Sequence, residues 1–191
     1  MAASCFAHPA SIDLTEMRVM PFKENQDVKN FTCGNRDLDE FLTTAEVMRY
    51  EAQGFGWTYL VYYQGGLVAY FTICNDGLRV EYLRKTRSFS KSAEKIVDSF
   101  PAVKIGRLAT AKGWQNQGIG RNIVVYIAKL ALESGAKSGV RLLIVEAKRE
   151  SIPFYEKCGF ELTFETARER RKENRTMFLD LQGLRPLLPR K

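Results

Sequence analysis

Lys104-Ile-Gly-Arg-Leu-Ala-Thr110, followed after a short turn by Trp114-Gln-Asn-Gln-Gly-Ile-Gly-Arg121, is the stretch on which the reading of this chain turns. Val103–Thr110 is rich in apolar residues and predicts a strand. Beyond the turn, Ile119, Ile123, Ile127, Leu130 and Ala131 recur at helical spacing, so Gly118–Ser134 predicts an amphipathic helix. A strand, a glycine-bearing turn and a helix start, in that order, present several backbone N–H groups at the positive end of a helix dipole. Such a turn is suited to a phosphate. Gly118 and Gly120 carry no Cβ, so the backbone can approach the anion closely. Arg121 adds a charged donor. A Walker A loop is excluded, because no Gly-Lys-Ser/Thr follows, and a dinucleotide fingerprint lacks its third glycine, since Ile123 stands there.

Working outward, strands and helices alternate, which predicts an α/β fold around a mixed sheet. Thr15–Met20 predicts a first strand stopped by Pro21. Asn35 and Asp37 are caps for a helix over Leu38–Gln53 that Gly54 ends. Trp57–Tyr63 and Leu67–Ile73 predict a hairpin turning on Gln64-Gly65-Gly66. A short helix is expected at Ser90–Ser99, ended by Pro101. Val140–Ala147 predicts a buried strand, Ser151–Cys158 a short helix with Gly159 as its stop, and Phe160–Phe164 with Thr176–Leu181 a last hairpin joined by Glu165–Arg175.

Composition removes several function classes. The 191 residues include one histidine, His8, so neither a His-dependent catalytic triad in the core nor a histidine-based zinc site is available, and no metal is expected. No apolar run reaches the roughly 18 residues that span a bilayer. The first residues lack the features of a signal peptide, so a cytoplasmic protein with no membrane partner is expected. Cys5, Cys33, Cys74 and Cys158 are scattered and expected to be reduced. One domain over residues 1–191 is expected, with 1–12 a loose tail and 182–191 a C-terminal tail. A formal net charge of +7 suits a polyanionic ligand, whether a nucleotide cofactor, nucleic acid or both.

The run Gln115-Asn-Gln-Gly-Ile-Gly120 has the form Gln/Arg-x-x-Gly-x-Gly/Ala, which resembles the pyrophosphate loop of the GNAT superfamily of N-acetyltransferases. One helix and one strand later, Ser151-Ile-Pro-Phe-Tyr-Glu-Lys-Cys-Gly-Phe160 resembles that family's Phe-Tyr-x-x-x-Gly-Phe element. The resemblance implies a GNAT fold. Its mixed, mostly antiparallel sheet has six to seven strands and about four flanking helices, and it splays between the fourth and fifth strands. It further implies transfer of acetyl from acetyl-CoA, as co-substrate, to a primary amine. The backbone of Leu108, Ala109 and Thr110 would hold the acetyl carbonyl and pantetheine. The diphosphate would lie against Gln115, Asn116, Gln117, Gly118, Ile119, Gly120 and Arg121. Phe154 and Lys157 would flank the pantetheine arm, and Tyr155 would act on the leaving sulfur. Lys148 stands where many relatives have Asn. No carboxylate occupies the strand position where several relatives carry a base. Glu146 on the next strand is a candidate through a water, or a structural carboxylate. Without a strong base, an α-amine, with a pKa near about 7.7–8.0, is an easier acceptor than lysine near about 10.4.

Phe31-Thr-Cys-Gly-Asn-Arg-Asp-Leu-Asp-Glu-Phe-Leu42, Gly56-Trp-Thr-Tyr-Leu60 and Gly106-Arg-Leu-Ala109 are similar to the acetyltransferase toxins of bacterial toxin–antitoxin pairs. That likeness implies the α-amine of aminoacyl-tRNA as acceptor and allows an antitoxin partner and a homodimer. Arg168, Arg170, Arg171 and Arg175, in the expected loop of the last hairpin, would contact the tRNA backbone. Protein N-termini, lysines and small-molecule amines remain alternative acceptors. A CoA-responsive nucleic-acid-binding protein is the alternative outside enzymes.

Overall fold

A computed structural model describes residues 16–83, 86, 97–163 and 171–187. Its strands are β1 (Arg18–Pro21), β2 (Trp57–Tyr63), β3 (Gly66–Arg79), β4 (Ser99–Thr110), β5 (Leu142–Lys148), β6 (Glu161–Leu162) and β7 (Asn174–Asp180). The α-helices among the described residues are α1 (Arg36–Thr43), α2 (Glu46–Ala52), α3 (Ile119–Ser138) and α4 (Ile152–Lys157). The strands lie in the order β1-β2-β3-β4-β5-β7-β6, a mixed sheet with β4 and β5 parallel. The expected α/β architecture is therefore present. The chain divides into two compact units, one of residues 9–74 and 105–125, the other holding 75–104 and 126–191.

In the first unit, the β2–β3 turn is shorter than expected. Gln64 and Gly65, at φ +48° and +79°, make a two-residue turn of the kind whose twist suits a hairpin, and Gly66 pairs with Tyr63. Pro21 does not stop β1 but closes it, opposite Tyr59. An edge strand tolerates proline at its end because no ladder donor is lost there. The helix expected over Leu38–Gln53 is instead two. Asn35 caps α1, its side chain accepting from Leu38 N at 3.3 Å. Thr44 then turns extended, and its hydroxyl accepts from Glu46 N at 3.2 Å to start α2. A β-branched residue that can bond the backbone ahead of it competes with helix continuation, which is why the break falls there. The core of this unit gathers Val28, Phe31, Phe41, Leu42, Val47, Leu60, Tyr70 and Ala109. The buried Tyr70 phenol donates to Leu38 O at 2.7 Å, tying β3 to α1.

In the second unit, Leu78, Val80, Leu83, Phe100, Ala102, Leu142, Ile144 and Phe178 form the core. β5 and β7 pair antiparallel from Leu142↔Asp180 to Lys148↔Asn174. Arg141 grips Asp180 with two hydrogen bonds of 2.7 Å, a planar fork on a carboxylate at the end of that ladder. β4 starts earlier than expected, and Pro101 lies inside it rather than ending a helix; its carbonyl accepts from Arg141 N at 2.8 Å. Most of the expected Ser90–Ser99 helix lies outside the described residues, and Ser99 itself is strand. Gly159, at φ +89°, follows α4 as the expected stop. Cys33, Cys74 and Cys158 are thiols outside any disulfide among the described residues.

α3 runs one turn past the expected Ser134. Gly135 does not end it; Gly139 does, at φ +82°. An alanine methyl at Gly135 would press on Val140 Cγ1 and lie 2.8 Å from Val140 Cβ, a stiff β-branched neighbour. Mid-helix glycine ordinarily costs roughly 0.5–1 kcal/mol against alanine. Here the clash wins, and Gly135→Ala should destabilise by about 1–3 kcal/mol in urea unfolding; a gain in stability would show that this packing is loose.

Candidate functional site

The first unit contains the glycine bend between β4 and α3. The chain leaves β4 with Ala111 N–H donating to Val68 O (2.8 Å) and Lys112 N–H to Thr32 O (2.9 Å). A single 3-10 turn, Lys112–Trp114, follows, with the Trp114 indole edge-on to Tyr63 at 5.4 Å. Gln115 then turns its carboxamide back. Its Nε2 donates to Thr110 O at 3.0 Å and to Cys33 O at 2.7 Å. Gln117 Nε2 donates to Gly113 O at 3.1 Å. Asn116 and Gly118 take left-handed conformations, φ +61° and +85°, which the two residue types best tolerate. Gly118 O accepts the first helical bond, from Asn122 N at 3.1 Å. The amides of Ile119 and Gly120 therefore stand ahead of the first i→i−4 bond of a 20-residue helix, where the dipole favours an anion. Asn122 Nδ2, in the first turn of α3, is buried and makes no hydrogen bond among the described residues. Leading amides of a helix that follows a left-handed glycine suit a phosphate, so the residues present fit the diphosphate of acetyl-CoA.

The loop before α1 supplies the Cys33 carbonyl. Asp39 shapes it, its carboxylate accepting from Cys33 N (2.7 Å) and from the Thr32 hydroxyl (2.8 Å). Partial burial works to raise the Asp39 carboxyl, but the bonds from Cys33, Thr32 and Gly34 outweigh it and hold the group below the usual carboxylate range. The Cys33 thiol is pushed up to about 11, by burial first and then by Asp39. It is therefore kept protonated at neutral pH.

On β4, Leu108 and Thr110 are half-buried, and Ala109 is buried in the core of this unit. The carbonyl of Thr110 is occupied by Gln115. One residue earlier, the Arg107 guanidinium carbon lies 3.6 Å above the Phe41 ring and 5.2 Å from the Tyr50 ring.

The second unit contains the other expected groups. Tyr155 on α4 is 7% exposed, wedged edge-on between Phe154 (4.9 Å) and Phe160 (5.3 Å). Burial raises its phenol well above the ordinary tyrosine value, so it stays protonated through the neutral range. The phenol makes no hydrogen bond among the described residues. Lys148 closes β5 opposite Asn174; Phe154 is half-buried and Lys157 exposed. Glu146 accepts from the Thr176 hydroxyl with both oxygens, at 3.0 and 3.2 Å. It borders a cavity of about 260 Å³ that also reaches Asp76, Tyr82, Thr163 and Lys172.

Two of the arginines expected in the last hairpin loop, Arg168 and Arg170, lie outside the described residues. Arg171 is exposed. Arg175 is not in the loop: it is half-buried in β7 opposite Ala147, because the strand begins at Asn174. Reading the sequence missed the bracing role of Gln115, Asp39 behind it, the orphaned Asn122 amide and the stacked Arg107. The Gln115–Cys33 bond joins residues 82 apart, and no local pattern signals it.

The profile of the acetyltransferase (GNAT) domain matches residues 56–162, more than half of the chain. Among solved structures, AtaT complexed with acetyl-methionyl-tRNAfMet aligns with a TM-score of 0.75 at 23% identity, over 90% of this chain and 98% of that one. A Tyr-to-Phe mutant of KacT aligns at 0.76 and 21%, over 91% and 99%. AtaTR bound with acetyl-CoA aligns at 0.70 and 22%, again over 91% and 99%. At these identities the likeness establishes a shared fold.

The depressed Asp39 carboxyl gives the loop an acid limit. Its stabilisation is present above the ordinary aspartate range, near about 3.9, and is lost as pH falls through the lower folded value. Asp39→Asn should cost about 1 kcal/mol or less at pH 7, discounted for exposure. The gap from wild type should close as unfolding is measured down to pH 2; a gap that persists there would assign the loss to packing instead.

Proposed function

Because the chain belongs to the GNAT family of acetyltransferases, we propose that it transfers acetyl from acetyl-CoA to the α-amine of an aminoacyl-tRNA. The observation that carries the proposal is the braced glycine bend, with its left-handed Asn116 and Gly118 and the orphaned Asn122 donor. The acceptor is supported by two things. AtaT, which shares the fold, is known in complex with acetyl-methionyl-tRNAfMet, and the net charge of +7 favours a polyanionic substrate. Both proposed substrates are cytoplasmic, which supports a cytoplasmic place of action. AtaT also binds the C-terminus of the antitoxin AtaR, so an antitoxin is the expected partner here.

Acetyl-CoA supplies an activated thioester. The bend from Gln117 through Arg121 holds its diphosphate, with Gln115 shaping the bend rather than touching the ligand. The backbone of Leu108, Ala109 and Thr110 lines the acetyl and pantetheine, and Lys148, Phe154 and Lys157 serve the arm. Binding both substrates converts a bimolecular attack into an oriented one. The neutral amine adds to the thioester carbonyl, forming the C–N bond and an oxyanion that backbone N–H groups stabilise. The excess amine proton passes through water to Glu146, which the Thr176 hydroxyl orients. Collapse breaks the C–S bond. Tyr155 donates a hydrogen bond to the departing sulfur; its raised pKa makes it a persistent donor and a weak acid, so the role is to share its proton with the thiolate. An α-amine needs no stronger base than this arrangement offers.

The test uses labelled acetyl-CoA with aminoacyl-tRNA, free amino acid and a peptide with a free N-terminus, following label and thiol release. Label should enter the aminoacyl-tRNA. Tyr155→Phe should reduce kcat by about 10²-fold or more, leaving affinity for acetyl-CoA within about threefold. Transfer to the peptide alone would replace the acceptor, and undiminished turnover in Tyr155→Phe would remove the phenol from the reaction.

A further inference from the structure

Arg107 is a half-buried cation without a counterion among the described residues. Its guanidinium forms no hydrogen bond and no ion pair among the described residues. The obvious carboxylate of the same unit, Asp39, is already committed to Cys33 and Thr32. What holds Arg107 is an aromatic column. The guanidinium carbon lies over Phe41, 3.6 Å from the ring centre. Phe41 is stacked in turn on Tyr70 (6.0 Å, 19° between planes) and edge-on to Tyr50 (5.5 Å, 84°). Tyr70 is fixed by its bond to Leu38 O and by the edge of Phe31 at 5.3 Å. Stacking uses the face of the guanidinium and leaves its five N–H donors around the rim. Gly106, beside it, has no room for a side chain, since a Cβ would lie 2.7 Å from Thr72 Oγ1. The backbone there is held against β3.

We propose that Arg107 is the anchor for the phosphodiester of the acceptor's 3′-terminal nucleotide, the one that carries the aminoacyl group. This rests on the acceptor proposed above and deepens it. A rigid guanidinium with an open rim matches a phosphate bidentately, and an ammonium in its place would keep the charge and lose the fork. The diphosphate of the cofactor has its own bend, so Arg107 serves a second anion. It lies two strand residues, about 7 Å, before Ala109, whose backbone lines the acetyl group. An anion held there belongs to the same nucleotide as the attacking amine. The anchor therefore sets the position of the amine as well as adding affinity.

Two measurements on the full chain test this. In the first, wild type, Arg107→Lys and Arg107→Met (the last keeps an unbranched chain over Phe41) acetylate methionyl-tRNA and a phosphate-free aminoacyl-adenosine. Both variants should lose at least tenfold in kcat/KM on the tRNA, keep kcat/KM on the nucleoside within about twofold, and keep the KM for acetyl-CoA. Equal losses on both acceptors would make Arg107 a structural residue and overturn the proposal; so would no loss on either. In the second, a short CCA-ended RNA without an amino acid is titrated by fluorescence anisotropy, a readout that needs no turnover. Both variants should bind it at least fivefold more weakly than wild type. Undiminished RNA binding in the variants overturns the anchor. If binding weakens as expected while wild type acetylates no tRNA, the anchor stands and the acetylation reading falls.

Discussion

The tie made by one carboxamide underlies the rest of the structure's chemistry. Gln115 joins the end of β4, through Thr110 O, to the loop before α1, through Cys33 O. That pair of hydrogen bonds lets the chain take two left-handed residues, Asn116 and Gly118, and emerge with the first amides of α3 ahead of its hydrogen-bond ladder. The loop it grips is itself shaped by Asp39, so a carboxylate in α1 sets the geometry of a bend some eighty residues away in sequence. Preorganisation of this kind lowers the ordering cost of binding a flexible diphosphate. It explains a glutamine at the head of the motif better than direct contact with the ligand would, because its donor is already used by the protein.

The two units contribute different chemistry. The first is rich in donors: the first amides of α3, the Asn122 carboxamide and the stacked Arg107. The second contains a phenol kept neutral by burial and a carboxylate that accepts from a hydroxyl. Groups of these kinds are what the proposed reaction, addition of a neutral amine to a thioester of a highly charged cofactor, calls for.

Much of this was legible in the sequence because the deciding signals are local. The glycine bend, the helix periodicity after it and the Phe154-Tyr155…Gly159-Phe160 element each lie within one stretch of chain. Capping of α1 by Asn35 and the stop at Gly159 follow from residue type alone. What escaped depends on distant partners. The helix expected through Gln53 breaks because Thr44 finds Glu46 N. α3 overruns Gly135 because Val140 returns to pack on it. Arg175 looked like a loop cation but belongs to the ladder with β5. Arg107 reads as one basic residue in a strand until Phe41, from α1, is seen beneath it.

The most direct test is calorimetric titration of acetyl-CoA into the wild-type chain and into Gln115→Leu, with thermal unfolding as a check that both are folded. The account predicts one site per chain in wild type and at least tenfold weaker binding in the variant, since the bend loses its brace while every proposed ligand contact remains in the sequence. Equal affinity in the two proteins would contradict it, and would mean that the bend needs no tie to receive the diphosphate.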